Sequence, residues 1–136
     1  MTEDEREDLS EIVRSNFYAW TRGDRSEFEA ALAEDFTFTS PYDDHIDKAT
    51  YFERCWPSQS RPKLTLLAVA QDGARVLVVY DCAIDDGTTF RNMEAHTLMN
   101  GKVKSVEVFF GDPPAGVRRE EFRAFLDVAR KSWKRS

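Results

Sequence analysis

Apolar residues recur at helical spacing first: Leu9, Ile12, Val13, Phe17 and Trp20 form one face of a helix that stops at Gly23. Thr2 and Glu5 read as a capping box starting that helix. Asp24 and Glu27 repeat the capping pattern for a shorter second helix, whose buried side is Phe28 and Leu32. Asp35 to Ser40 then alternates, with Phe36 and Phe38 on one face, and Pro41 ends the strand. A polar loop, Tyr42 to His45, leads to Asp47, an N-cap for a third helix from Lys48 to Trp56. From Lys63 the period becomes that of strands: Lys63 to Gln71, Arg75 to Asp85, and two further runs flanking Asn100-Gly101. Asp72-Gly73, Asp86-Gly87 and Asn100-Gly101 supply the turns. A Pro/Gly connector follows, and Phe122, Phe125, Leu126, Ala129 and Trp133 return at helical spacing. The pattern predicts an α+β fold, with helices packed on one side of a curved antiparallel sheet and a C-terminal helix added.

The turns also predict register. A two-residue turn at Asn100-Gly101 pairs residue i with 201 − i, setting Glu94 opposite Glu107, His96 opposite Ser105 and Asn92 opposite Phe109. A two-residue turn at Asp86-Gly87 pairs Tyr80 with Met93. One sheet face then carries Tyr80, Cys82, Arg91, Met93, Ala95, Val106 and Val108; the other carries Asp81, Asn92, Glu94, His96, Ser105 and Glu107. Two carboxylates facing each other repel unless a proton or cation lies between them. Glu94 and Glu107 are therefore either an acid/base pair with His96 as proton partner, or a solvated or interface face neutralised by basic residues. One β-bulge would reverse the parity of part of a strand.

Other candidates are less tightly placed. Asn16 sits within the first helix's apolar stripe, hydrogen-bonded to backbone or pointing into a cavity. His45, beside Asp43 and Asp44, reads as a proton shuttle or metal ligand at a pocket mouth, or as part of a solvated loop. Arg91 on an apolar face reads as a holder of a ligand's anionic group or as the partner of a buried acid. Trp20, Tyr42 and Tyr80, with Met93, are candidate pocket walls or plain core.

Composition narrows the partners. The 136 residues hold one core, and the hydrophobic and charged shares, 41% and 32%, are those of an ordinary globular chain. A net charge of −6 argues against nucleic acid or an anionic membrane as partner. Cys55 and Cys82 follow no metal-ligand or redox spacing, and no nucleotide loop, nucleophile elbow or cofactor motif stands out. The acidic N-terminus has no apolar leader pattern, which predicts a cytoplasmic protein.

Three stretches carry a resemblance: FYAWTRGD, DFTFTSPYDDHIDKATYFERCW, and the Asn-Gly-Lys-Val turn followed by EVFFG. Together they resemble the nuclear transport factor two-like superfamily, in its SnoaL-like branch. The likeness runs over roughly residues 5–111, so that 1–111 would form the domain and 112–136 a connector and a helix packing on it or on a partner subunit. It implies a cone-shaped cystatin-like fold, three helices on the concave face of the sheet, an apolar pocket for a small cyclic or aromatic molecule, and a homodimer formed through the sheet. It also implies either proton-transfer chemistry without a cofactor or metal (an isomerase, cyclase or dehydratase) or binding alone. Ketosteroid isomerases of this superfamily place an Asp before the proline that ends the first strand, where this chain has Ser40. The positions of their other catalytic residues fall at Asn16 and near Arg91. The residues that activate water in limonene epoxide hydrolases correspond to Tyr80, Cys82 and Val108. Neither machinery is carried over, which leaves Glu94, His96, Glu107 and His45 as the candidate acid/base groups.

Overall fold

The computed structural model describes residues 8–57, 61–84 and 87–111, together with 118, 120, 121 and 124. Its elements are α1 (Leu9–Arg22), α2 (Arg25–Ala30), β1 (Leu32–Ser40), β2 (Asp43–Asp47), α3 (Lys48–Cys55), β3 (Lys63–Asp72), β4 (Arg75–Ala83), β5 (Thr89–Met99) and β6 (Lys102–Phe110). The Thr2–Glu5 capping box, residues 112–117 of the connector and the apolar stripe from Phe122 to Trp133 lie outside the described residues.

Local chemistry ends the helices where expected. Gly23 adopts φ +73°, and the amides of Gly23 and Asp24 bond to the carbonyls of Trp20 and Ala19, closing α1 in a Schellman motif. The Asp24 carboxylate accepts from the Glu27 amide at 3.0 Å, and that of Asp47 from the Thr50 amide at 2.9 Å, capping α2 and α3. Leu32 does not complete α2. It opens β1, buried among the core side chains. The polar stretch after Pro41 is not a loop but the start of β2, which folds back on β1.

The six strands form one sheet in the order β2-β1-β6-β5-β4-β3. All neighbours are antiparallel except β1 and β6, which run parallel, so the sheet is mixed rather than antiparallel throughout. A parallel pair needs a long crossover; here everything from β2 to β5 supplies it.

Register corrects the expected faces. Asn100 and Gly101, at φ +54° and +76°, make the two-residue turn, and Met99 pairs with Lys102 and Leu98 with Val103. Thr97 then pairs with Ser105, leaving Lys104 as a bulge, and beyond it Glu94 faces Val108 while Glu107 faces Ala95. On the other side Ala83 pairs with Thr89 and Tyr80 with Asn92, one residue away from the register that a two-residue turn at Asp86-Gly87 would set. Both shifts act on the same strand. Relative to expectation, β5 alone is turned over, so Phe90, Asn92, Glu94 and His96 share a face with Tyr80, Cys82, Val106 and Val108. That face joins the core: Val13 and Phe17 of α1, Phe28 of α2 and Tyr51 and Phe52 of α3 cluster with Val76, Val78, Tyr80 and Val108. Phe36, 1% exposed, is the largest of the fully buried side chains. Burial on this scale is the main favourable term for a domain of this size.

Candidate functional site

Core packing leaves a cavity of about 160 Å³ between the helices and the sheet. Engineered cavities of roughly 150 Å³ admit a benzene ring. Its wall is mostly aromatic and aliphatic. Phe28 stacks on Tyr51 with centroids 5.8 Å apart, Phe17 meets Tyr80 edge-on at 5.3 Å, and Tyr42 meets Phe110 at 5.7 Å.

The polar groups lie mainly on β5. The Tyr80 hydroxyl donates to Glu94 Oε2 at 2.6 Å, and His96 Nε2 stands 3.0 Å from Glu94 Oε1. With its hydrogen on Nε2, His96 holds the second carboxylate oxygen as Tyr80 holds the first. Asn92 Nδ2 reaches the Tyr80 hydroxyl at 3.5 Å. Asn92 and His96 are 6% and 2% exposed, and Asn92 Oδ1 and His96 Nδ1 are buried without a hydrogen-bond partner among the described residues. The Phe17 ring lies 5.6 Å from the imidazole and seals that side.

Burial, and then the nearby Glu94 charge, hold the Tyr80 phenol well above the usual range; the hydrogen bond to Glu94 adds to this. Burial also raises the Tyr51 phenol, helped by Cys55 and Glu94. The Cys82 thiol is pushed up to about 12 by burial first and the Glu94 charge second. A thiol so placed is not a nucleophile at neutral pH. The Glu94 carboxylate is the group on which the Tyr80 and His96 contacts converge.

A second cluster lies along β2. The Asp43 side chain is fully buried: Arg54 Nη2 stands 3.0 Å from its Oδ1, and the Ser40 hydroxyl donates to its Oδ2 at 2.9 Å. This carboxylate carries its own counter-ion.

The expected site residues divide into two groups. Asn16, Trp20, Tyr42, Tyr80, Glu94 and His96 line the cavity. Asn16 also donates to the Phe28 carbonyl at 3.2 Å, so both readings of that amide hold. Arg91 and Met93 lie on the opposite face because β5 is turned over, and Glu107 of β6 stays on that face as expected. Arg91 is exposed and forms a two-pronged pair with Asp81 at 2.8 and 3.2 Å, Met93 pairs with Phe109, and Glu107 is exposed beside Ala95. The Glu94–Glu107 carboxylate pair does not exist. His45 is exposed, at φ +49°, with Nδ1 2.6 Å from Asp44 Oδ1, and does not line the cavity. No group of three or more His, Cys, Asp or Glu among the described residues is placed to hold a metal.

Asn92 and Asp43 line the cavity without being among the site residues the sequence predicts. The alternation Phe90-x-Asn92-x-Glu94-x-His96 carries the signal for Asn92. Asp43 gives none, since its burial depends on Arg54 of the following helix. No helix among the described residues is long and apolar enough to cross a membrane.

Comparison with known proteins agrees with this architecture. A family profile described as a SnoaL-like domain matches residues 13–106. An NTF2-like protein of unknown function from Cytophaga hutchinsonii superposes with a TM-score of 0.67 at 20% identity, covering 78% of this chain and 92% of that one. A Kribbella flavida structure given provisionally as a ketosteroid isomerase has a TM-score of 0.68 at 22% identity, covering 84% and 85%. A Streptomyces galilaeus structure given provisionally as a hydroxylase has a TM-score of 0.59 at 15% identity, covering 76% and 88%. At these identities the likeness establishes the fold alone. No curated protein matches the chain.

Proposed function

Because this chain belongs to the SnoaL-like family, we propose that its cavity takes up a small cyclic or aromatic molecule and that Glu94 exchanges a proton with it. The reaction class is cofactor-independent isomerisation, cyclisation or dehydration. One observation carries the reading: an anionic side chain with no Lys or Arg partner stands in an aromatic cavity, both its oxygens held by neighbours. A base fixed in that way needs no reorganisation when it acts.

In the forward step Glu94 takes a proton from an acidic C–H of the bound ring, and the C–H electron pair moves into the adjoining π system. Tyr80, held as a neutral phenol, keeps one carboxylate oxygen oriented, and His96 orients the other. Delivery of the same proton to a different atom gives isomerisation; expulsion of a hydroxyl as water, with the proton, gives dehydration. The provisional descriptions of the Kribbella and Streptomyces structures support a small-molecule enzyme of this general kind without supplying its residues.

The test is hydrogen exchange of cyclohex-2-enone in D2O, followed by NMR with protein at substrate level. The wild-type chain should accelerate exchange at the ring positions next to the conjugated system, and Glu94→Gln should lose about 100-fold of it or more. Acceleration that survives Glu94→Gln would sink the assignment of the base. A ring that binds without any acceleration would leave a binding protein.

A further inference from the structure

The charge of the cavity is as informative as its shape. Of its lining residues, Asp43 and Glu94 carry carboxylates and none is Lys or Arg. Asp43 is matched by Arg54, which approaches it from outside the wall. Glu94 is matched by no Lys or Arg; its partners are a phenol and an imidazole. Its negative charge reaches Tyr80, Tyr51 and Cys82 on different parts of the wall and helps hold all three protonated. The remaining polar atoms do not compensate it. Asn92 Oδ1 is an acceptor, and so is His96 Nδ1 when Nε2 carries the hydrogen; both lack a donor among the described residues. The walls supply aromatic rings, from Phe17, Trp20, Phe28, Tyr51 and Tyr80 among others, whose quadrupoles attract cations. The fold already uses this attraction at the cavity's edge, on the ring of the wall residue Trp20, and beyond it. Arg61 lies 5.1 Å from the Trp20 centroid and 4.3 Å from that of Trp56, and Arg25 lies 4.2 Å from that of Phe52.

From this we infer that the cavity selects an organic cation, a small ring bearing a protonated amine or quaternary ammonium, with Glu94 as counter-ion and the aromatic wall as its cage. The inference rests on the proposed role of the cavity and names its substrate class. It also suits the proposed chemistry, since a positive nitrogen next to a C–H makes that hydrogen more acidic and places it beside the carboxylate. An anionic ring would meet Glu94 with no cation on the wall to offset it.

Three probes of one shape and different charge test this: benzylamine, protonated at pH 7, benzyl alcohol and benzoate, titrated into the wild-type chain and followed by amide chemical shifts. Benzylammonium should bind at least about tenfold tighter than benzyl alcohol, with benzoate weakest. In Glu94→Gln the ratio of ammonium to alcohol should fall to near one while alcohol binding persists. If benzyl alcohol binds as tightly as benzylammonium to the wild-type chain, the cation preference is wrong and the cavity reading stands. Benzoate binding best would equally overturn it. If none of the three binds, both the cavity reading and the cation preference fall. The wild-type ratio alone decides the matter should Glu94→Gln not fold.

Discussion

Glu94 governs its surroundings because it is a carboxylate largely enclosed by the cavity wall. A carboxylate in an apolar cavity costs free energy unless donors satisfy it, and Tyr80 and His96 are those donors. The cost is passed on to the neighbouring acids, since a second negative charge nearby is disfavoured. Cys82 shows this with a sign that can be checked. Its folded value, about 12, lies above the ordinary 9.0 of an unfolded thiol, so between those values the unfolded chain binds fewer protons than the folded one. Stability linked to Cys82 is therefore complete below pH 9 and lost as pH rises from about 9 toward 12. Each unit of that window removes on the order of 1.4 kcal/mol at most, and the raised phenols of Tyr51 and Tyr80 add to the loss above 10. Urea unfolding at pH 8 and pH 10.5 should show the fall, and Cys82→Ala should make it shallower. An unchanged slope in that variant would mean that water reaches the thiol.

At the scale of the elements, one extra residue decides which side chains face the cavity. Lys104 is the bulge in β6, and beyond it pairing shifts by one, so Glu94 meets Val108 instead of Glu107. A one-residue shift exchanges the two faces of a strand. Deleting Lys104 closes the bulge and leaves Leu98 opposite Val103, Thr97 opposite Ser105 and Glu94 opposite Val108, so Glu107 stays outward and the variant should keep a cooperative thermal transition. Lys104→Ala keeps the bulge, losing only the contact with Asp35, and should melt close to the wild-type chain. If the deletion variant loses its cooperative transition, the pairing beyond Val103 does not follow this register. This is also where the sequence stopped being legible. The Asp24 and Asp47 caps, the Gly23 stop and the Asn100-Gly101 turn depend on neighbours within a few residues, and each forms as the residues predict. Whether a bulge follows Val103, and in which register β4 meets β5, depends on how β5 packs between two neighbours. Those two features turned β5 over, moving Arg91 and Met93 out of the candidate site and leaving Glu94 and His96 in it. The glutamate–histidine pair was legible as chemistry but not as a place.

For the whole molecule, the cavity is a choice between stability and use. A chain that packed this space as densely as the rest of its core would gain contacts and lose its pocket. Val103 and Val108 sit on the same strand and are both buried, but only Val108 lines the cavity. Adding one methylene at each position therefore separates empty space from packed core. Val108→Leu has room to extend and should stabilise the fold by up to about 0.8 kcal/mol, the value of one buried methylene. By taking up part of the 160 Å³ it should also weaken binding of a benzyl-sized ring. Val103→Leu meets filled space and should destabilise by about 1–3 kcal/mol with ring affinity nearly unchanged. Denaturant midpoints and ring titrations on both variants check the pair. If Val108→Leu costs as much as Val103→Leu, the space beside β6 is closed in solution, and the ring-binding role of the cavity fails with it. If Val108→Leu stabilises and the ring still binds as before, the cavity is real but the ring sits elsewhere. Gain of stability together with loss of the ring is the outcome expected of a fold that gives up packing around Glu94 to keep a binding site.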